Sequence, residues 1–304
     1  MTAYYGLMLS RFVHFTVLLF TFGVSFFPLY AFFQRDHVAS LKLRTPFKAI
    51  LLLACLIALA SGVSWLVFTA ASMAGSLSEA LSSSTLAVVV GESGFGRVWT
   101  IRMGLVIALC VLCGLQRWAR PPSAILMSAL SGACLASLAL TGHTQEQEGL
   151  SFAVRVTADG AHLLAAGAWL GGLVALLAVL PSRAAFGDLS ESELGHVLMR
   201  FSGMGYGAVA ILVGTGLVNA WYLMPALIVT SLYSQLLIIK LALFALMLLL
   251  AALNRFWLVP ATAGPDVEKT LFRLRHHVIG EQLLGVFIIA LVSVLGTLSP
   301  FGEQ

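Results

Sequence analysis

LMLSRFVHFTVLLFTFGVSFFPLYAFF, residues 7–33, is a run of 27 residues broken by a single formal charge, Arg11. Roughly 20 helical residues rising ~1.5 Å each cross a hydrocarbon core of ~30 Å, so this segment is long enough to span a bilayer. The apolar residues are continuous rather than alternating, which predicts a helix and not a strand of a transmembrane barrel. Inside the run sits His14. An ionisable side chain within a membrane is costly to keep, and by default it marks a functional site.

Seven further apolar runs follow, giving spans Leu7 to Phe33, Phe47 to Ala71, Val98 to Leu115, Ser123 to Thr141, Thr157 to Leu180, Gly203 to Met224, Leu232 to Trp257 and Val278 to Leu298. The expected fold is an all-α integral membrane protein of eight transmembrane helices. Composition agrees: the 304 residues are 60% hydrophobic and 10% charged, with a mean hydropathy of +0.98, far from the average soluble domain. Residues 7–33 lack a basic n-region and a small-residue cleavage site, so they are expected to stay in the mature chain. The net charge of +4 does not point to nucleic acid, because the cations sit between the apolar runs.

Their distribution sets an orientation. Twelve Lys and Arg residues (Arg35, Lys42, Arg44, Lys48, Arg117, Arg120, Arg183, Arg200, Arg255, Lys269, Arg273 and Arg275) fall on one set of connections, against five (Arg11, Arg97, Arg102, Arg155 and Lys240) on or near the other. By the positive-inside rule both termini lie outside, which in a bacterial inner membrane is the periplasm. All four cysteines lie within spans and do not form an extracellular disulfide framework. Gly94-Phe-Gly96 lacks the Gly-Lys-Ser/Thr of a phosphate loop, so ATP-driven pumping and other enzymatic activity are not expected.

The eight runs read as two parallel four-helix repeats, residues 1–142 and 143–304, related by an axis along the membrane normal. His14 and His162 occupy matching places, each followed nine residues later by glycine, Gly23 and Gly171. Arg102 and Lys240 also match, each followed fifteen residues later by arginine, Arg117 and Arg255. Ser61-Gly62 before Trp65 answers Thr215-Gly216 before Trp221. The first copy carries about ten extra residues, placed in the Ser- and Gly-rich connection Ser72 to Gly96, which is expected to cap the outer face. Gly167, Gly171 and Gly172 form a ridge that lets another helix approach closely.

His14, His162 and His143 all fall toward the outer leaflet. Neutral imidazole suits copper, zinc, iron and nickel, while thioether or thiolate shifts the choice toward Cu(I). The candidate metal residues are therefore His14, His162 and His143, with Met8, Met73 and Met224 at outer helix ends as weaker ones. Cys110 and Cys113 form a C-x-x-C on the inner half of the third helix. Asp159, one turn before His162, is a candidate ligand or a support for an imidazole ring nitrogen. A second reading is equally open from the pair alone: His14 and His162 as axial ligands of a b-type haem in an electron-transfer protein. Arg102 and Lys240 are expected to snorkel to the interface, and Glu281 to pair with Arg273 or Arg275.

The run Asp159-Gly-Ala-His162-Leu-Leu-Ala-Ala-Gly-Ala-Trp169-Leu-Gly171-Gly172, then Arg200-Phe201-Ser202, Asn219-Ala-Trp221, Lys240 and Asn254-Arg255, resembles the copper resistance protein D (CopD) family. The N-terminal half matches mainly in helix number, His14 and Thr141-Gly142-His143. What the resemblance implies is an inner-membrane copper-binding protein that moves copper from the periplasm toward the cytoplasm, served by a separate periplasmic CopC-like protein. A membrane receptor or scaffold for such a copper chaperone is a further alternative.

Overall fold

The computed structural model describes residues 2–32, 44–115, 121–141, 149–180, 191–223 and 231–298. These residues are helical throughout, without strands, as expected. The long helices are α1 (Thr2–Ala31), α2 (Arg44–Ala74), α5 (Gly94–Leu115), α6 (Pro121–Ala136), α7 (Leu150–Val179), α8 (Glu191–Leu223), α9 (Leu232–Leu253) and α11 (Val267–Leu295). Two short helices, α3 (Leu77–Ala80) and α4 (Ser83–Glu92), lie between α2 and α5. A π-helical segment, Asn254–Leu258, leads from α9 into the single turn α10 (Val259–Ala261).

Among the described residues, seven helices are long and apolar enough to cross a membrane. The expected fourth crossing, α6, is shorter: its apolar part covers Ala124–Leu140, and it ends in a 3₁₀ turn, Ser137–Leu140. Pro121 and Pro122 stand in the first turn of α6, where proline is tolerated. Seven crossings thus stand on length and composition, and the count of eight does not.

Helix α1 is the hub, packing against α2, α6, α7, α8 and α11. Its sequence explains this position. Gly23 removes a side chain where α7 crosses: a Cβ there would strike the backbone of Gly167 and Gly171. The buried Thr21 hydroxyl donates one turn back, to Val17 O at 2.7 Å, so it costs little in an apolar setting. Ser128 Oγ also donates to Ser25 O at 2.8 Å, tying α6 to α1. Helices α8 and α9 are peripheral and present apolar rows outward, including Leu217, Trp221, Ile238 and Leu249. A surface this apolar is stable against lipid and not against water.

The connection after α2 is an ordered cap. Gly75 at φ +81 turns the chain back, Ser76 and Ser82 cap α3 and α4, and Val89 and Ala80 pack on Leu66, Ala70 and Ala71.

Candidate intramembrane metal site

His14 and His162 meet the same kind of partner in the same way. His14 Nδ1 lies 3.0 Å from Ser61 Oγ on α2, and His162 Nδ1 lies 2.8 Å from Thr215 Oγ1 on α8. Each hydroxyl spends its own proton on a helix carbonyl, Ser61 on Ala58 O at 3.2 Å and Thr215 on Ile211 O at 2.7 Å. A hydroxyl that has donated can only accept from the ring, so Nδ1 carries the hydrogen and Nε2 keeps its lone pair. For His14, which is 0% exposed, Nε2 has no hydrogen-bond partner. A buried imidazole with one nitrogen fixed by a hydrogen bond and the other bare is the arrangement that metal-ligating histidines use.

The two pairs belong to a longer register. In the first half, the Arg11 guanidinium sits 5.7 Å over the Trp65 ring, one turn from the His14 and Ser61 contact. In the second half, Asn219 Nδ2 donates to Asp159 Oδ1 at 2.6 Å, one turn from His162 and Thr215. Arg11 to Asp159 and His14 to His162 are both shifts of 148, while Ser61 to Thr215 and Trp65 to Asn219 are both shifts of 154. The true counterpart of Trp65 is therefore Asn219, and not the Trp221 that the sequence suggested. Asp159 does not hold the His162 ring nitrogen. Thr215 does, because on antiparallel α7 and α8 the residue one turn from Thr215 that reaches Asp159 is Asn219.

The histidines do not converge on one another. Gly23 and Gly171 face each other where α1 meets α7, and nine residues back along a helix of 3.6 residues per turn is the opposite side of the wheel. His14 accordingly points to α2 and His162 to α8, away from the shared crossing. A haem held between them needs both rings to face one gap, which this geometry does not provide. His143 and Met224 lie outside the described residues. Met8 is half-buried on α1, and Met73 is exposed at the end of α2.

Charge surrounds the site in an ordered way. Arg102 does not snorkel: it is 0% exposed, donating from Nε to Ser137 Oγ at 2.8 Å and from Nη2 to Ser137 O at 2.9 Å and Thr141 Oγ1 at 3.2 Å. Its guanidinium stacks 5.3 Å from the Trp65 centroid. The 3₁₀ turn at the end of α6 supplies these acceptors, which explains why a full charge stays at this depth. At the end of the bundle where α1, α7 and α9 begin, Arg11, Arg155, Lys240, Asp159 and Tyr233 line a cavity of about 270 Å³.

Toward the opposite end of the bundle, Glu281 is 2% exposed and accepts from Asn254 Nδ2 at 2.6 Å and Trp169 Nε1 at 3.3 Å. It pairs with these neutral donors and not with Arg273 or Arg275 as expected. Asn254 opens the π-helical segment, and together with Trp169 and Glu281 it lines a cavity of about 200 Å³ among α7, α8, α9 and α11. Such local π segments frequently accompany functional sites.

Cys110 and Cys113 stand on α5, with Cys113 buried and Cys110 half-buried, and both approach Cys55 of α2. All four thiols are free. Among the described residues, no group of three or more His, Cys, Asp or Glu side chains is arranged to hold a metal ion. The sequence marked Ser61 and Thr215 as matching repeat landmarks and Asn219 as part of the family resemblance, but not as the partners of His14, His162 and Asp159; Met103 and Cys55 were given no role in the site.

Comparison with known proteins gives the setting. A family model described as "Copper resistance protein D-like, N-terminal domain" matches residues 1–154, and one described as "Copper resistance protein D" matches residues 195–295. The chain is 33% identical over 298 residues to Copper resistance protein D of Pseudomonas syringae pv. tomato, covering 95% of each chain. It is 27% identical to Inner membrane protein YebZ of Escherichia coli (strain K12), covering 96% of this chain and 97% of the relative. Copper transport protein CutJ of Bacillus subtilis (strain 168) is 26% identical over 76% of this chain and 41% of its own length. No solved structure matches. Two family models in chain order, together with a relative aligned along nearly the whole length, place this chain in the copper resistance protein D family.

Proposed function

We propose that this chain binds copper inside the bilayer at one histidine in each half and passes it from the outer face toward the inner. The observation that carries this reading is the matched pair of fixed imidazoles, His14 on Ser61 and His162 on Thr215, each with Nε2 left as the metal-binding atom. The relatives' names support the cargo, since two of them speak of copper resistance or copper transport. In this reading the two halves are parallel repeats of four crossings, α6 included, in a bacterial inner membrane with both termini periplasmic. Asp159 in the outer cavity, and His143 if it reaches the same face, receive the ion. A periplasmic CopC-like protein delivers it, and the sulfurs of Cys55, Cys110 and Cys113 offer soft donors on the inner half. The role is transfer of an ion, without catalysis.

Purified protein in liposomes, loaded outside with Cu(I) and carrying a copper-responsive dye inside, tests this directly. The parent is expected to admit copper, and the double variant His14→Gln, His162→Gln to admit none above empty liposomes. Copper binding without flux in the parent, with a delivering partner present, would replace transport by the receptor or scaffold reading.

A further inference from the structure

Gly62, lacking a side chain, lets Met103 and His14 pack onto α2 at the same place. A Cβ placed on Gly62 would lie 2.5 Å from Met103 Sδ, 3.1 Å from Met103 Cε and 3.2 Å from His14 Cε1. Cε1 lies between the two ring nitrogens, Nδ1 that meets Ser61 and Nε2 that is buried without a partner. The thioether sulfur and this edge of the imidazole therefore border the same spot. Met103 is 7% exposed and His14 0%, so water competes poorly for either.

We propose that Met103 Sδ and His14 Nε2 are a ligand pair for Cu(I), a deepening of the copper reading that fixes the oxidation state of the cargo. Two arguments point to a soft, monovalent ion. Thioether is a soft donor that selects Cu(I) over Cu(II) and Zn(II). Charge points the same way: α1, α2, α5 and α6 contain no Asp or Glu, while Arg102 and Arg11 both stack on Trp65, whose ring centroid is 5.6 Å from that of His14. A divalent ion would enter this setting with no carboxylate to balance it, whereas a monovalent ion costs far less beside a guanidinium. Gly62 is part of the device, because a Cβ there would push the Met103 sulfur from its place beside the ring.

The second half lacks this pair. Leu241 stands at the position matching Met103, is 57% exposed, and no atom lies within 4 Å of where a Gly216 Cβ would be. His14 is thus the enclosed, sulfur-assisted station, and His162 binds through nitrogen without a thioether.

Methionine methyl resonances provide the test, since the four free thiols complicate a simple Cu(I) titration. Full-length protein carrying ¹³C-methyl methionine at its nine Met positions is titrated in detergent with Cu(I) under ascorbate, with redox-inert Ag(I), and with Zn(II). The Met103 signal is identified by its loss in Met103→Leu, a volume-conserving change. That signal is expected to shift with Cu(I) and Ag(I) and to stay put with Zn(II), and the shift should vanish in Gly62→Ala and in His14→Gln. Met127, buried elsewhere, should not move. A Met103 methyl unmoved at saturating Cu(I), in protein whose copper binding His14→Gln lowers, overturns the thioether and leaves the histidine site standing. An unmoved methyl with copper binding unaffected by His14→Gln overturns both. A full shift that persists in His14→Gln overturns the pair.

Discussion

Replacing Ser61 with alanine removes one oxygen atom and should weaken copper binding at His14 without touching the ligand itself. The Ser61 hydroxyl accepts the Nδ1 hydrogen at 3.0 Å while donating to Ala58 O at 3.2 Å, so it fixes the tautomer that leaves Nε2 free. Without it, the Nδ1 hydrogen is buried with no acceptor, and the ring gains by rotating or by moving its hydrogen to Nε2. Hydrogen bonds between membrane helices are worth about 0.6 kcal/mol on average and up to about 1.7 kcal/mol. At about 1.4 kcal/mol per tenfold, copper affinity at this station should fall roughly three- to twentyfold, at the low end of the loss that follows removal of a group supporting a metal-bound histidine. The assay is competition against a chromophoric Cu(I) chelator, with cysteine-alkylated protein as reference. Ser64→Ala is the control, since Ser64 bonds only within its own helix, to Ala60 O at 2.9 Å. Ser61→Ala with parental affinity, alongside His14→Gln with reduced affinity, would refute the tautomer argument.

Gly171→Ala should lower stability by about 1–3 kcal/mol, because the added Cβ meets backbone, Leu19 O at 2.5 Å and Gly23 Cα at 2.7 Å, and neither can move aside. Gly203→Ala, where no atom lies within 4 Å, should be neutral; denaturation in mixed detergent micelles compares the two. Glu281→Leu leaves the buried Trp169 and Asn254 donors without an acceptor and should cost about 1–3 kcal/mol in the same assay, whereas Glu281→Gln, which keeps a carbonyl, should cost less. Asp159→Ala removes the carboxylate from a cavity also lined by Arg11, Arg155 and Lys240. Initial copper uptake by liposomes should slow severalfold at low salt and converge on the parent as salt rises.

Long apolar runs declare transmembrane helices because the bilayer demands length and internal hydrogen bonding, and seven of the crossings were legible for that reason. The eighth was harder to judge: the stretch from Ser123 to Thr141 has the composition of a crossing, but its α-helix ends at Ala136 in a 3₁₀ turn. His14 and His162 were legible as buried and matched. The haem alternative needed both rings to face one gap, whereas the nine-residue spacing to Gly23 and Gly171 places ring and crossing on opposite sides of each helix. Arg102 was read as a snorkelling cation because the acceptors that retain it, Ser137 and Thr141, lie on another helix. Glu281 was paired with nearby arginines because proximity along the chain is visible in a sequence, while the approach of Trp169, more than a hundred residues away, is not. Met103 escaped for a similar reason: only the packing of α5 on Gly62 gives its sulfur a neighbour.

The central claim is that copper rests on the two intramembrane imidazoles. Metal content of the purified protein after copper loading under reducing conditions and exhaustive dialysis, parent against His14→Gln, His162→Gln, tests it most directly. The account predicts that the parent retains copper at His14 and His162 and that the double variant loses this share, with unchanged elution on size-exclusion chromatography. A double variant that holds as much copper, as tightly, as the parent would contradict it.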